Sequence, residues 1–383
     1  MKHYNVGIIG FGFIGRVHAY GHLNLPLFYD PVPCQTRITH ICTSRRETAE
    51  KGRLQVGAQV STTDFREITE NPDVDIVHIC TPNNVHKDQL LSAMRHNKYI
   101  YCDKPLVVDM QEANEIRRAL RDYRGIAQMT FQNRFFPATI RAKQLMEEGF
   151  VGQVLEFRAA YLHSGSADPS APLKWKLSAQ SGGGVIADLG SHILDLMHYL
   201  LGDLKAVMAT THIAYAERPS LHDPRAKVPV DAEDCVKMLA KTQSGAVGTI
   251  EASKIATGTE DELRFEIHGS LGALRFNSID PHHLEAYDHR LSDQPAGGRR
   301  GWTRIDTGQR YPKPAGFPGP KFSLGWMRSH MACLAHFLSS VATGTPANPG
   351  LEQGIHVQKL IECARISAET KSWVQIERGV DEI

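Results

Sequence analysis

The chain has 383 residues, which at about 150 residues per domain is enough for two to three domains. Lysine and arginine number 43 and aspartate and glutamate 42, so the net charge is +1 and no overall field draws the protein to nucleic acid or to an anionic membrane. A hydrophobic fraction of 42% with 22% charged residues is typical of a globular chain and excludes a long disordered or fibrous protein.

The N-terminal residues and the cysteines favour a cytoplasmic location. Met1 to Asn5 lead directly into a strand-like run and show no signal-peptide pattern. Charge or glycine interrupts every apolar stretch well before the roughly 18 residues that a membrane span needs. The seven cysteines are an odd number without a C-x-x-C pair, and we interpret them as reduced, mostly buried thiols. We therefore expect a cytoplasmic protein that has neither a membrane nor a nucleic acid as its partner.

Short β-branched runs alternate with helical segments up to about residue 133, as a parallel α/β sheet requires. The strand-like runs are residues 6–9, 38–42, 74–80, 99–102 and 126–131. Segments between them, such as 84–96 and 110–122, carry apolar residues at three- and four-residue steps. This alternation predicts a doubly wound sheet, and we place a first, α/β domain at residues 1–133.

The pattern changes after residue 150 to alternating strands joined by turns. Residues 234–241 and 246–254 predict an antiparallel hairpin, and residues 263–268 open another. The stretch 280–325 is rich in Pro, Gly and charge, and we interpret it as a binding lid or an oligomer arm. Helices near 326–341 and 351–371 follow. Residues 134–383 are therefore predicted to form an α+β domain with a mostly antiparallel sheet.

The first strand runs directly into a G-x-G-x-x-G motif that opens a helix. Its glycines permit a tight turn, let the backbone approach a pyrophosphate and seat the helix against the sheet. The amides at the helix N-terminus favour phosphate groups. The motif predicts a dinucleotide site formed by Gly10, Gly12, Phe13, Ile14 and Gly15.

The residues after the second strand bear on the choice between NAD and NADP. An acidic residue usually holds the ribose of NAD here, but the chain reads Cys42-Thr43-Ser44-Arg45-Arg46. Hydroxyl groups followed by guanidinium groups suit a 2′-phosphate, so Thr43, Ser44 and Arg45 are candidate cofactor residues that favour NADP. In the alternative interpretation the two arginines open a solvated helix and a hydroxyl contacts the ribose of NAD.

The fifth strand ends in a lysine that is a candidate catalytic residue. Strands four and five both end at the carboxyl edge of the sheet, where ligands bind in doubly wound folds. Lys104, followed by Pro105, could donate a hydrogen bond to a substrate hydroxyl and stabilise a developing alkoxide. Taken alone, the position of Lys104 favours an ordinary surface lysine.

A glycine-rich segment opens a helix on which Asp188 and His192, four residues apart, share one face. The imidazole could take a hydroxyl proton, and the carboxylate could orient it or hold substrate. The same spacing could chelate a metal, but no third ligand is obvious except His198, and we expect no metal. His18 and His22 are also four apart; we expect a packing or cofactor-side role for the first and a surface role for the second.

Taken together, the motifs resemble the Gfo/Idh/MocA oxidoreductases, the family of glucose-fructose oxidoreductase and inositol dehydrogenase. The residues that carry the resemblance are Gly10-x-Gly12-x-x-Gly15-x-x-His18, Thr81-Pro82-Asn83-x-x-His86, Asp103-Lys104-Pro105, Trp175 and Gly183-Gly184-x-x-x-Asp188-x-Gly190-x-His192-x-x-Asp195. The resemblance covers nearly the whole chain. It implies a Rossmann domain followed by a domain with an open antiparallel sheet, whose outer face often makes homodimers or homotetramers.

The resemblance also implies roles for single residues. Lys104, Asp188 and His192 correspond to the family's catalytic residues. Asp103 stands where Glu is common, and Lys176 stands where Arg commonly follows the tryptophan. The further residues that we assign to the cofactor are Thr81, Pro82, Asn83, His86, Asp103, Lys104 and Trp175. The residues that we assign to the substrate are Lys104, Asn133, Tyr161, Asp188 and His192.

Within the family, three stretches are most similar to the subgroup of levoglucosan dehydrogenases and related pyranoside 3-dehydrogenases. They are residues 11–20, residues 25–28, and Tyr161 with residues 166–169. The subgroup implies NAD, whereas Arg45 favours NADP, and the cofactor therefore stays open as NAD or NADP.

We expect an NAD(P)-dependent sugar or inositol dehydrogenase. It would transfer a hydride between a secondary hydroxyl of a sugar, anhydrosugar or cyclitol and the nicotinamide, with Lys104 on the reacting oxygen, His192 moving the proton and Asp188 orienting both substrate and imidazole. One alternative is an NAD-dependent glycoside hydrolase or lyase that oxidises C3 transiently. Another is a non-catalytic NAD(P)-binding sugar sensor, against which the presence of all three catalytic residues argues.

Overall fold

Residues 2–377, described by a computed structural model, fold as two units. The first unit consists of residues 2–135, 311–319 and 325–358, and the second of residues 136–310, 320–324 and 359–377. The units are therefore not continuous in sequence, because part of the C-terminal region packs with the N-terminal sheet. The linear division of the chain after residue 133 stays a prediction.

The first unit contains a six-stranded parallel sheet. Its strands are β1 (His3–Ile9), β2 (Gln35–Cys42), β3 (Val60–Thr62), β4 (Ile76–Ile79), β5 (Tyr99–Cys102) and β6 (Ala127–Met129), in the order β3-β2-β1-β4-β5-β6. This is the strand order of a doubly wound dinucleotide-binding sheet. The five predicted strands are confirmed, whereas β3 has only three residues and too little apolar pattern to be predicted.

The helices run from the first strand to the end of the described chain. They are α1 (Phe13–Phe28), α2 (Arg46–Val56), α3 (Arg66–Thr69), α4 (His86–Arg95), α5 (Met110–Leu120), α6 (Pro137–Glu147), α7 (Ser191–Leu201), α8 (Trp326–Thr343) and α9 (Leu351–Thr370). Local signals set several of their ends: Asp109 caps α5 by accepting a hydrogen bond from the Glu112 amide, and α2 ends at Gly57 in the left-handed region. No helix within residues 2–377 is long and apolar enough to cross a membrane.

Helix α8 belongs to the core of the first unit although about 190 residues separate it in sequence from β6. Its apolar residues Leu334, Phe337 and Leu338 are buried in one cluster with β1 and α1. A Cβ atom at Gly21 on α1 would lie 2.7 Å from the Leu334 side chain, so the glycine lets the two helices approach closely.

The second unit is built around a nine-stranded sheet with a separate two-stranded hairpin. Its strands are β7 (Val154–Leu162), β8 (Leu204–His212), β9 (Glu217–Pro219), β10 (Lys227–Pro229), β11 (Cys235–Thr242), β12 (Val247–Ser253), β13 (Glu262–Gly269), β14 (Gly272–Asn277), β15 (His283–Asp288), β16 (Trp302–Asp306) and β17 (Val374–Gln375). The large sheet has the order β16-β15-β14-β13-β7-β12-β11-β8-β17, and β9 pairs with β10. Among its described strands every neighbouring pair is antiparallel except β7 with β12. The predicted mostly antiparallel sheet and both hairpins are confirmed.

Residues 280–325, which we interpret as a binding lid or an oligomer arm, contain two strands that the sequence did not indicate. Strands β15 and β16 lie within this stretch and extend the large sheet, with Leu284 opposite Ile305. Alternate residues of β15, Leu284 and Ala286, are buried, as a strand with one covered face requires. The flanking charge and glycine hid this short alternation in the sequence.

Candidate functional site

The glycine turn between β1 and α1 has the shape that a dinucleotide needs. Gly10 has a φ of +89°, and a Cβ atom there would lie 2.5 Å from the carbonyl oxygen of Cys80. A Cβ atom at Gly15 would lie 2.1 Å from the Gly10 oxygen, whereas one at Gly12 would meet no atom within 4 Å. No side chain caps α1 at Gly12. The turn thus offers an open backbone surface and a helix N-terminus to a pyrophosphate, and the residues fit the predicted cofactor.

One of the three candidate cofactor residues after β2 forms hydrogen bonds within its own segment. The Thr43 hydroxyl donates to the Arg45 carbonyl (2.8 Å) and lies 2.6 Å from the Thr48 hydroxyl, so it holds the start of α2. Ser44 and Arg45 are exposed at the same edge of the sheet. These two side chains are therefore the ones that a bound cofactor would meet.

His86 links the two loops that follow β4 and β5. Its Nε2 lies 2.9 Å from the Thr81 carbonyl oxygen, and its Nδ1 lies 3.1 Å from the Pro105 carbonyl oxygen. The imidazole is buried, and burial lowers its pKa. Thr81 in turn donates from its hydroxyl to Gln89 (2.8 Å). His86 thus holds the Thr81 and Lys104 loops together.

The other candidates of the first unit lie at the ends of its central strands. Asp103 and Lys104 follow β5 and are half-buried, and Asn83 and Asn133 are buried in short 3₁₀ turns after β4 and β6. The structure therefore brings these side chains to the carboxyl edge of the parallel sheet, together with the glycine turn.

Sequence reasoning missed a contribution from the start of α8. Trp326 stacks on His330, with ring centroids 4.2 Å apart, and also packs against Phe13 (5.7 Å). His330 is buried, and its two ring nitrogens have no hydrogen-bond partner among the described residues. Burial and, second, the charge of Lys104 lower the pKa of His330 to about 3. The spacing of an aromatic residue and a histidine by one helical turn at a helix start was the available signal.

The expected surface position of His22 is wrong. Its Nε2 lies 2.9 Å from Nε2 of His78, and its Nδ1 lies 2.8 Å from the Thr36 hydroxyl. The Nδ1 of His78 lies 3.1 Å from Nδ1 of His18. Burial lowers the pKa of all three histidines, that of His22 to about 3. The sheet and α8 cover two sides of α1, and His22 lies on a covered side, whereas Leu23 and Leu27 are exposed.

The second unit brings Asp188 and His192 together at the start of α7. Residues Ile186–Gly190 form a turn of π-helix that leads into α7, so the two side chains are not on a regular α-helix. The ring of His192 lies 5.7 Å from that of Tyr161. Burial raises the pKa of Tyr161, and the carboxylates of Asp261 and Asp188 add to this. A buried carboxylate, an imidazole and a phenol thus share one site.

Two ammonium groups flank the Asp188 carboxylate. Lys176 Nζ lies 3.0 Å from Oδ1, and Lys254 Nζ lies 3.0 Å from Oδ2. The Lys254 side chain is only 8% exposed, whereas that of Lys176 is 49% exposed. Sequence reasoning missed Lys254, which follows β12 and stands in no recognisable motif. A carboxylate held between two cations is poorly suited to bind a metal, and His198, the suggested third ligand, pairs with Asp203 at 3.0 Å.

The glycine-rich segment before Asp188 is needed for close packing. A Cβ atom at Gly183 would lie 2.7 Å from the backbone of Lys176, and Gly184 has a φ of +105°. Trp175 and Lys176 form a 3₁₀ turn, with the ammonium 5.8 Å from the Trp175 ring centroid. The glycines therefore let the turn that carries Trp175 approach the segment that carries Asp188.

The fold and these two groups of residues define a dinucleotide-binding oxidoreductase. A family model described as the NAD-binding Rossmann fold of an oxidoreductase family matches residues 4–131, and a model of its C-terminal alpha/beta domain matches residues 143–376. The chain belongs to this family, the Gfo/Idh/MocA oxidoreductases.

Relatives match over the full length of the chain. The chain is 32% identical to levoglucosan dehydrogenase of Pseudarthrobacter phenanthrenivorans over 98% of its own length and 99% of that protein. It is 25% identical to inositol 2-dehydrogenase of Rhizobium meliloti over 97% and 98% of the two chains. A solved structure of levoglucosan dehydrogenase in complex with NADH and levoglucosan superposes with a TM-score of 0.92 at 32% identity, covering 98% of this chain and 100% of that one.

The predicted family, fold class and enzyme class are confirmed by these matches. The chain is an NAD-dependent oxidoreductase of the sugar and cyclitol dehydrogenase kind. The interpretation of Arg45 as a 2′-phosphate ligand gains no support from them, since the solved relative contains NADH. The alternative interpretation, in which the arginines open a solvated helix, agrees with the exposure of Arg45.

Proposed function

We propose that this protein oxidises a secondary hydroxyl group of a pyranose or anhydropyranose with NAD, using Lys104, Asp188 and His192 as catalytic residues. The carrying observation is the Asp188 carboxylate held between Lys176 and Lys254 beside His192. Full-length similarity to levoglucosan dehydrogenase supports a pyranose-like substrate over a cyclitol.

The first unit would bind the cofactor. The backbone of the Gly10–Gly15 turn would hold the pyrophosphate, and Ser44 with Arg45 would lie at the adenosine ribose. The residues of this unit that would hold the nicotinamide half are Thr81, Pro82, Asn83 and Asp103, and Trp175 stays a further cofactor candidate. When bound, NAD supplies the hydride acceptor of the reaction.

The catalytic side chains would divide the work on the substrate hydroxyl. The Lys104 ammonium donates a hydrogen bond to the reacting oxygen and stabilises negative charge there. The His192 imidazole accepts the hydroxyl proton and returns it in the reverse reaction. Asp188 accepts hydrogen bonds and stabilises the imidazolium that forms, while its two lysine partners hold the carboxylate in place. Tyr161 and Asn133 would bind other hydroxyl groups of the sugar.

A substrate screen tests the proposal. Pyranoses, anhydropyranoses, pyranosides and inositols are each mixed with NAD or NADP, and the absorbance of the reduced nicotinamide is followed together with glycoside cleavage. We expect reduction of NAD by a pyranose or anhydropyranose. Glycoside cleavage without net NAD reduction would identify the hydrolase or lyase, and cofactor and sugar binding without turnover would identify the sensor.

We also propose a homodimer or homotetramer located in the cytoplasm. Half-exposed apolar side chains on one face of neighbouring strands of the large sheet, Leu239 and Val247, support association through that face. All seven cysteines are free thiols, which suits a reducing compartment. Light scattering during gel filtration tests the first point, and a monomer at micromolar concentration would contradict it.

A further inference from the structure

The hairpin β9–β10 carries a buried charged side chain that the proposed mechanism does not use. Arg218 on β9 is 1% exposed and is among the largest fully buried side chains of the described chain. Arginine is rarely buried to this extent unless its guanidinium is paired. The hydrogen-bond partners of Arg218 therefore indicate the role of the hairpin.

Arg218, Pro219 and the nearby Tyr215 form hydrogen bonds to one segment of the second unit, residues 163–174. Arg218 donates from Nη1 to the Asp168 carbonyl (2.7 Å) and from Nη2 to the Ser166 carbonyl. The guanidinium stacks on Tyr215 (5.1 Å), whose hydroxyl donates to the Ala167 carbonyl (2.9 Å). The backbone amide of Leu173 donates to the carbonyl of Pro219, also on β9 (2.8 Å). Three side-chain bonds and one backbone bond thus tie this segment to the hairpin.

The segment joins two parts of the catalytic site. Tyr161, just before it, packs against His192, and Lys176, just after it, pairs with Asp188. In its middle, the Ser166 amide donates to the Lys254 carbonyl (2.8 Å). The contacts therefore run from Arg218 through Ser166 to Lys254, whose ammonium pairs with Asp188.

The Arg218 guanidinium donates hydrogen bonds to backbone carbonyl oxygens of the segment, not to its side chains. It sets the course of the segment whatever side chains the segment carries. A planar guanidinium reaches two carbonyl oxygens in a defined geometry, whereas a lysine ammonium is a point charge that cannot reproduce that fork. Loss of Arg218 would remove the donor to the buried Ser166 carbonyl and to the Asp168 carbonyl and would allow the segment to move.

We propose that Arg218 is a specificity-determining positioning residue that sets the shape of the 163–174 segment beside Asp188 and His192. The inference rests on the proposed function, because it takes the ligand to be a pyranose. The carbon being oxidised must lie at His192, so the segment contacts the part of the sugar away from that carbon. Arg218 itself does not touch the substrate.

The test compares Arg218→Lys, Arg218→Met and Arg218→Ala with Arg225→Met, an exposed position between β9 and β10. We expect KM for sugars to rise about 10- to 100-fold in the Arg218 variants, by different factors for free, anhydro and methylated pyranoses, because misplaced binding groups weaken the affinity for the sugar. NAD affinity and kcat stay near wild type. Methylguanidinium added to Arg218→Ala restores KM, and Arg225→Met behaves as wild type.

Two results overturn the inference. One is an unchanged KM for every sugar. The other is a parallel loss of sugar affinity, NAD affinity and thermal stability without rescue by methylguanidinium, which identifies a general structural role.

A readout independent of turnover separates this inference from the proposed function. Trypsin cleavage after Lys174 becomes faster in the Arg218 variants if the segment is released. If none of the sugars tested supports NAD reduction by the wild-type protein, the proposed function fails. Sugar binding by calorimetry then replaces KM, and equal cleavage rates in wild type and variants reject the role of Arg218.

Discussion

The ammonium group of Lys254 lies 3.0 Å from the Oδ2 atom of Asp188, and both side chains are largely buried. Lys176 reaches the other carboxylate oxygen from a more exposed position. The two lysines therefore differ in how much each is needed to hold the Asp188 carboxylate in place.

Replacing Lys254 should cost more than replacing Lys176. Lys254→Met leaves a buried carboxylate short of its buried partner, and we expect the free energy of unfolding to fall by about 3 kcal/mol with a clear loss of kcat. Lys176→Met removes a half-exposed partner and should cost about 1 kcal/mol or less. Urea unfolding and sugar-dependent NAD reduction measure both effects. Equal losses in the two variants would contradict this ranking.

Substitutions at His192 and Lys104 should distinguish a loss of catalysis from a loss of cofactor binding. His192→Ala removes the proton acceptor and Lys104→Met the donor to the reacting oxygen, so each should lower kcat by about 100- to 10,000-fold. NAD binding, followed by the quenching of tryptophan fluorescence, should persist in His192→Ala because His192 lies in the second unit. An enzyme that kept full turnover after either change would exclude that residue from catalysis.

Gly12 and Gly15 should respond differently to alanine. The Cβ of Gly12→Ala enters open space, so we expect normal stability but NAD binding weakened by about tenfold or more, equivalent to roughly 1.4 kcal/mol. The Cβ of Gly15→Ala would lie 2.1 Å from the Gly10 oxygen and should destabilise the unit itself. Thermal unfolding and NAD titration of both variants test the contrast, which fails if Gly12→Ala binds NAD normally.

The buried histidines should make stability fall in acid. Burial lowers the pKa of His22 to about 3, whereas in the unfolded chain the group titrates near 6.5. As the pH falls below 6.5, the unfolded state binds a proton that the folded state does not. The free energy of unfolding then decreases by about 1.4 kcal/mol per pH unit for each such group until the folded pKa is reached.

Urea unfolding at several pH values between about 7.5 and 5 measures this slope. His18, His78 and His330 are shifted in the same direction and steepen it. His22→Gln should show a shallower slope than wild type. A pH-independent midpoint would show that these imidazoles are not held neutral by the fold.

Much of the site could be predicted because its residues stand in local patterns. Gly10, Gly12 and Gly15 follow a strand at fixed spacing, and Lys104 follows another strand at the sheet edge. Asp188 and His192 are four residues apart, and that spacing placed them together even though the local structure is a π-helical turn. The error for His22 arose because helical spacing does not tell how many faces of a helix are covered.

The sequence by itself determined the family, the two kinds of sheet and the three catalytic candidates. The motifs and alternation patterns that indicate them are formed by residues close in the chain. Only the tertiary structure revealed His330 near Lys104, Lys254 on Asp188, and Arg218 on the 163–174 segment. These partners are brought together by packing across distant strands and helices, and no local spacing encodes such contacts. The +1 net charge does not tell which ammonium and guanidinium groups are buried, because their positions depend on that packing.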